Sequence, residues 1–504
     1  MATVGTRAAR RRSLRTWAPA LPVLAGLLVL LAPERVGLAL GGLLGIGFVL
    51  VVSRSPVPAL LAFPAVLPFQ LLLLALLLRL GVPAGAVRAL GFWKEAVAGG
   101  LVVAAISRAR ATGARIDAID VVAALFVLNG LVYRIAPGVL TPGVAVPDAN
   151  TLNLALRGNV LLVVLFAAAR HLDVGDEVRA RFVRVVVATG AAVAAIGVLE
   201  TLLSSAWNRF AVQTVGVPAY KAEILNAINF NPNDIRVYTR IGGRVVVRIG
   251  SVFFSQISLG LFLVIVLAVA LELLARQRGP RWVAIATPAI GAALLLTQTR
   301  AAILAAGLCV VLALRPAPGR ETAARERVGI ALAGVFALLI PLAVSAGLGS
   351  RALDSLTERD QSTIEHENRT SEAFDRLVHR PLGSGLGTTS EVARRQGSTI
   401  SGAGEDYYLD LGNETGVQSA LLFIALTVLC LAVLQRRTHA PDGQPIEAAW
   451  RGALAALALA ALVHPVWFDQ ILAWPFWIGV GLAVGPPRGP LSTSLARYPD
   501  PPAT

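Results

Sequence analysis

Three arginines stand where an apolar run begins or breaks: Arg157 opens one run, Arg248 precedes the run that starts at Val252, and Arg300 closes the short break Gln298-Thr299-Arg300 between two others. A guanidinium is permanently charged and its donors fork onto oxyanions, so cations at such boundaries suit a phosphate or diphosphate group. The competing reading of each is a side chain that snorkels to lipid headgroups. Lys94, between Trp93 and Glu95 at the start of a further run, is read the same two ways, as an interfacial anchor or as a contact to an anionic substrate.

The other titratable groups gather in residues 349–415, which hold 12 acids against 7 bases. Arg369 there either pairs with Glu365 or Glu372 on its own helix or binds an anion or sugar. His366 and His379 lie on or at the end of the same helix. The segment closes with Glu405-Asp-Tyr-Tyr-Leu-Asp-Leu-Gly-Asn-Glu-Thr-Gly416, so that Glu405, Asp406 and Tyr408 lead directly into an apolar run.

These residues need a scaffold, and composition says which kind. Of the 504 residues 56% are hydrophobic and 15% charged, and the mean hydropathy is +0.69, more apolar surface than a water-soluble core can absorb. We read fourteen apolar spans, with twelve to fourteen as the range: 17–32, 36–52, 57–79, 95–107, 118–133, 155–170, 182–203, 253–274, 282–297, 301–314, 328–348, 416–435, 449–463 and 470–485. Most are near the length that carries a helix across a bilayer. Residues 282–314 read as two tilted helices or one broken hairpin, with a kink at Pro288.

The basic residues orient the chain. With the N-terminus inside, and the basic residues within a span counted with its nearer end, the cytoplasmic side holds 25 Lys and Arg and the short external loops 7, the asymmetry expected of a multi-pass protein of the cell membrane with both termini cytoplasmic. The organisation is then N-terminal transmembrane helices in 1–203, an external segment in 204–252, further spans in 253–348, a large external loop in 349–415, C-terminal spans in 416–485 and a disordered cytoplasmic tail in 486–504. In the first external segment two β-branched runs flank Gly242-Gly243, the pattern of a hairpin. In the second, Ser362-x-x-Glu365 reads as a capping box for an amphipathic helix with Ile364, Phe374, Leu377 and Val378 on its buried stripe. Pro381-Leu-Gly-Ser-Gly-Leu-Gly387 then demands a tight turn.

Several classes are set aside. The net charge of +15 is spread over loops, with no basic domain interleaved with aromatic platforms, so nucleic acid is not an expected partner. Arg7, Arg10, Arg11, Arg12 and Arg15 suit the n-region of a cleaved signal, but no small-x-small cleavage site follows. Cys309 and Cys430 lie inside apolar spans and imply neither a disulfide nor a metal site. No phosphate-binding glycine loop, His-rich metal cluster or Ser-His-Asp order is found, and no cofactor is expected.

At this point the chain resembles the O-antigen ligase and polymerase family of bacterial envelope enzymes, over about residues 150–435. The resemblance rests on Arg157-Gly158 at the start of a span, Arg248-Ile-Gly-Ser-Val-Phe before another, and Leu296-Thr-Gln-Thr-Arg-Ala-Ala302. It continues with Arg369, the Pro381 to Gly387 turn, and Tyr408-Leu-Asp-Leu-Gly-Asn-Glu-Thr-Gly416 before an apolar helix. Two places depart from the family pattern. Glu405 and Asp406 stand where His-Asn is frequent, and Phe254-Ser-Gln-Ile-Ser replaces a common Asn-Pro-Asn.

The resemblance implies an all-α, glycosyltransferase-C-like membrane fold and a metal-independent, inverting transfer of a glycan from an undecaprenyl-diphosphate carrier to a glycan or lipid acceptor, as polymerase or as ligase. Arg248 and Arg300 would then hold the diphosphate, with Arg157, Arg369, Asp406, Tyr408 and Lys94 binding substrate. The acceptor hydroxyl needs a general base, and Glu405, in the family's His position, is the expectation. Asp406, His366 and His379 are its competitors. The alternative is a transporter or flippase of a lipid-linked sugar, which predicts polar groups deep in the spans and broken helices; Glu200 and the Pro-containing spans are what favours it.

Overall fold

A computed structural model describes residues 45–225, 227, 231–241, 244–276, 280–314, 329, 361–389, 406–439 and 445–486. The chain begins with α1 (Gly45–Arg54), α2 (Pro56–Val66), α3 (Gln70–Arg79), α4 (Ala84–Leu90) and α5 (Trp93–Thr112). There follow α6 (Ala118–Ile135), α7 (Ala149–His171), α8 (Asp176–Leu202), and the short α9 (Ser204–Arg209) and α10 (Val217–Glu223). Strands β1 (Val237–Ile241) and β2 (Arg244–Arg248) lead to α11 (Gln256–Ala275), α12 (Arg281–Leu296) and α13 (Arg300–Leu314). The later helices are α14 (Gln361–His379), α15 (Tyr407–Thr415), α16 (Val417–His439), α17 (Pro445–Ala460) and α18 (Gln470–Val484).

Among the described residues, seven stretches are helical, long and apolar enough to cross a membrane: α2 with α3, α4 with α5, α6, α7, α8, α11 and most of α16. The apolar helices α1, α12, α13 and α18 are shorter. The described residues are thus helical apart from one hairpin and the connections, with the hydropathy and helix lengths of a membrane protein. The expected spans 17–32 and 328–348, the 315–327 connection and the tail lie outside the described residues.

Packing separates a centre from a rim. Helix α11 is sheathed by neighbours, with every residue from Leu259 to Ala275 buried, as expected of a helix that is apolar all round. Beside it Trp450, Trp467, Phe476, Trp477, Phe423 and Phe166 interlock edge to face. Helices α7 and α18 approach backbone to backbone, because a Cβ at Gly481 would run into the Phe166 carbonyl; small residues serve this purpose between apolar helices. Helix α6 is peripheral, with Val121, Leu125, Leu128 and Leu131 exposed, the face such a helix offers to lipid.

The hairpin expected around Gly242-Gly243 is present, with β1 antiparallel to β2 and Val237 opposite Arg248. The break at 297–299 gives two helices rather than one, Gln298 taking a left-handed φ of 52°. Pro288 stays within the continuous α12. One expectation is corrected on α14. Ala373 is buried and Leu377 half-buried against α15, whereas Phe374 and Val378 are exposed, because the contact surface is the narrow strip beside Gly412. The capping side chains Ser362 and Glu365, with Ile364, lie outside the described side chains.

Four helix starts lie at the ends expected to be external. Asp148, Ser255, Asp406 and Asp469 cap helices there with side-chain oxygens on backbone N–H groups, satisfying donors a helix start leaves open. At the opposite end Asp117 caps α6 in a capping box with Asp120.

Candidate functional site

Arg248 ends β2 and turns back onto the break between α12 and α13. Its Nε donates to the Thr297 carbonyl at 2.9 Å and its Nη2 to the Thr299 hydroxyl at 3.2 Å. The Thr299 hydroxyl donates in turn to the Gln256 carbonyl at 3.1 Å, and the Ile249 N–H reaches the Leu296 carbonyl. Arg300, the exposed first residue of α13, lies within electrostatic range: burial first, then the Arg300 charge, lowers the pKa of the half-buried Arg248 guanidinium. Among the described residues Arg248 bonds only to a carbonyl and a hydroxyl, and no carboxylate pairs with it. A guanidinium on neutral acceptors with a second like charge in range makes a site for an anion.

The backbone around this pair is unusual. Of the four described non-glycine residues with positive φ, three are Ser251 at 46°, Phe254 at 48° and Gln298 at 52°. Such conformations persist only where the surroundings over-determine them. Here the buried carboxylate of Glu200, at the end of α8, accepts from the N–H groups of Gly250 (3.1 Å) and Ser251 (2.6 Å).

Arg157 and Lys94 form a second group on α7 and α5. Arg157 Nη1 is 2.9 Å from the Glu95 carboxylate and the guanidinium lies over Phe92. Lys94 is buried, donates to the Gly91 carbonyl at 3.0 Å, and has Glu95 at 3.9 Å and the Trp474 ring at 6.0 Å. Glu95, at the first turn of α5, therefore serves both cations.

The third group surrounds α15. Asp406 is its N-cap, accepting from the N–H of Tyr408 at 2.7 Å and of Leu409 at 3.0 Å, which commits one carboxylate oxygen to structure. The Tyr408 hydroxyl donates to the Ala458 carbonyl at 3.1 Å, and burial, followed by the Asp406 charge, pushes its pKa up to about 12. That phenol is neutral across the physiological range. Arg369 is half-buried on α14, and exposed His379 sits with Nδ1 2.7 Å from its own helix carbonyl at Asp375. Glu405 and the His366 side chain lie outside the described residues.

Unanticipated is the polar seam that seats this third group. The buried Glu414 carboxylate accepts from Asn159 Nδ2 (2.9 Å) and the Gly387 N–H (3.1 Å). The Pro381 to Gly387 turn folds onto α15, with the N–H groups of Ser384 and Gly385 donating to the carbonyls of Asn413 and Glu414. Gly383, at φ 78°, allows this approach, since a Cβ there would lie 2.8 Å from the Gly416 nitrogen. Tyr133 donates to the Leu382 carbonyl at 2.6 Å, while Asn129 reaches the Thr415 carbonyl at 3.1 Å. The available signal was an Asn in the middle of an apolar span, at both 129 and 159.

A fourth polar cluster lies at the other end of the bundle. Arg170, fully buried, joins Asp117, Asp120 and the Gly485 carbonyl, and His171 Nε2 is 2.9 Å from Asp120. No protein-family model matches the chain, and no curated relative matches it. The reading of the site therefore rests on its geometry and on the resemblance described above. Among the described residues no group of His, Cys, Asp and Glu is arranged to hold a metal ion.

Proposed function

We propose that the protein is a multi-pass membrane glycosyltransferase that takes a glycan from an undecaprenyl-diphosphate carrier, in the manner of O-antigen ligases and polymerases. The observation that carries the reading is the Arg248 and Arg300 pair. Arg248 stands at the end of β2 against the helix break expected to face outward, its guanidinium bonded to the Thr297 carbonyl and the Thr299 hydroxyl with the Arg300 charge beside it. A departing diphosphate needs such preorganised positive charge more in the transition state than before it. The α15 group lies at the same end of the bundle and leads into Glu405, which we propose as the base that takes the proton of the acceptor hydroxyl.

The transporter alternative drew on Glu200 and the Pro-containing spans. The Glu200 carboxylate, the deep polar group that favoured it, is engaged by two backbone N–H groups at the end of α8.

The test is binding of a short isoprenyl diphosphate to the detergent-purified protein, by calorimetry, alongside deletion in the native host. Binding that exceeds that of the monophosphate and collapses in Arg248→Ala and Arg300→Ala supports the reading. Equal binding of both lipids by wild type and variants overturns it. In the deletion strain, unattached long carrier-linked chains indicate a ligase and single repeat units a polymerase.

A further inference from the structure

Glu200 is a carboxylate 5% exposed near the C-terminal end of the membrane-length helix α8, a costly placement unless its charge is used. Its Oε2 receives the N–H groups of Gly250 and Ser251, two and three residues beyond Arg248. These donors converge on one oxygen because Ser251 takes a left-handed φ of 46°, and the Ser251 hydroxyl donates to the Val193 carbonyl at 2.8 Å on the same helix. One turn before Glu200, Gly197 makes room for the loop: a Cβ there would stand 2.9 Å from Ile249 Cδ1. The loop is thus fixed from below by α8 and from the side by α12, where the Leu296 carbonyl receives the Ile249 N–H. The guanidinium at the top of this loop is aimed by contacts made beneath it.

We propose that Glu200 is a positioning residue for anion binding: by clamping the Gly250 and Ser251 amides it sets the direction in which Arg248 meets a diphosphate. The proposal rests on the diphosphate reading of the Arg248 and Arg300 pair, and its test separates the two. Loss of an outer-shell partner of a metal ligand weakens binding by about 10- to 100-fold, and a loss of that order is expected of a residue that aims Arg248 in the same way; two residues acting through one contact lose affinity non-additively.

The experiment measures farnesyl diphosphate binding to detergent-purified wild type, Glu200→Ala, Glu200→Gln, Arg248→Ala and the Glu200→Ala/Arg248→Ala double variant. It also measures the rate at which a cationic thiol reagent modifies Arg248→Cys, with and without Glu200→Ala. Glu200→Gln retains an oxygen acceptor, so it is expected to keep binding within about threefold of wild type, well short of the 10- to 100-fold loss expected of Glu200→Ala. The double variant is expected to bind no worse than Arg248→Ala, and Glu200→Ala to change the labelling rate at position 248. Additive losses, or an unchanged labelling rate, overturn the positioning role. If Arg248→Ala binds the lipid as wild type does, the diphosphate reading fails instead, and the labelling rate alone decides whether Glu200 positions residue 248. Should Glu200→Ala not fold, Glu200→Asp, too short to reach both amides, replaces it with the same expectations.

Discussion

Asn159 and Glu414, 255 residues apart in the chain, meet through one buried hydrogen bond of 2.9 Å between the Asn159 amide and the Glu414 carboxylate. Removing the donor should leave a buried carboxylate oxygen short of a partner, at a cost of about 1–3 kcal/mol. Asn159→Leu is therefore expected to lower the thermal midpoint in detergent, whereas Asn159→Gln should lower it less. An unchanged midpoint in Asn159→Leu would show that the bond does not hold the seam together.

The arginine pair makes a prediction about charge. Arg300→Glu places a carboxylate within range of Arg248, so it should abolish binding of an isoprenyl diphosphate, and Arg300→Lys should lower it only in part because the charge remains and the planar fork is lost. Equal affinity in Arg300→Glu and wild type would remove Arg300 from the site.

At the opposite end the buried Arg170 holds Asp117 and Asp120 together. Arg170→Met leaves those carboxylates facing one another, and breaking a buried pair in this way costs about 3–5 kcal/mol. The expected readout is loss of monodisperse protein in size-exclusion chromatography, relieved when Asp117→Asn and Asp120→Asn are added. Normal elution of Arg170→Met alone would contradict the cluster's role.

The base of the hairpin carries a pH signature. Hydrogen bonds from Arg236, and then from Tyr238, hold the Asp234 carboxyl well below the usual carboxylate range. A depressed folded value means that the contribution is complete above the unfolded value of about 3.9 and is lost as pH falls through the folded one. Tryptic cleavage within the hairpin should accordingly be no faster at the acid end of the pH 6 to 8 range than the enzyme's own activity dictates, while Asp234→Asn should raise cleavage throughout. A variant as resistant as wild type would dissociate Asp234 from hairpin order.

Topology is open to thiol labelling, and the structure decides where to place the thiol. Ser384 is buried against α15, so a cysteine there would be shielded whichever side it faced. Arg380 and Arg181 are exposed, at the two ends of the bundle, and the native Cys309 and Cys430 are buried. With an impermeant reagent, Arg380→Cys should label in intact cells and Arg181→Cys only after lysis. The reverse pattern would invert the orientation derived from the basic residues.

Much of the scaffold was legible because bilayer-length apolar runs need only local information: the expected 118–133, 282–297 and 470–485 lie within two residues of α6, α12 and α18. The hairpin was legible for the same reason, as two β-branched runs around a glycine pair. Long-range pairing was not. Nothing near Glu414 in sequence announces Asn159, and nothing near Glu200 announces the Gly250 and Ser251 amides. Asp406 looked like a competitor for the base, yet its position one residue before a helix is also that of an N-cap, and that is the role its contacts show. Phe374 and Val378 share a helical stripe with Leu377, but a helix can bury less of its apolar stripe than the periodicity allows when its partner is as narrow as α15.

The Pro381 to Gly387 turn has a bearing on how this chain could diverge. Its bonds to residues 413–417, including that from the Val417 N–H to the Pro381 carbonyl, staple the two ends of the stretch that contains Glu405. The described junctions of that stretch are thus tied to each other directly, and each doubling of the length between them would cost only about 0.6 kcal/mol of closure entropy. The interval between Thr389 and Glu405 is therefore one whose length can change at little cost in closure. On the proposed function, acceptor preference could be altered there by insertion, with Glu405 kept, while the strand that carries Arg248 and the helix that carries Arg300 keep their packing.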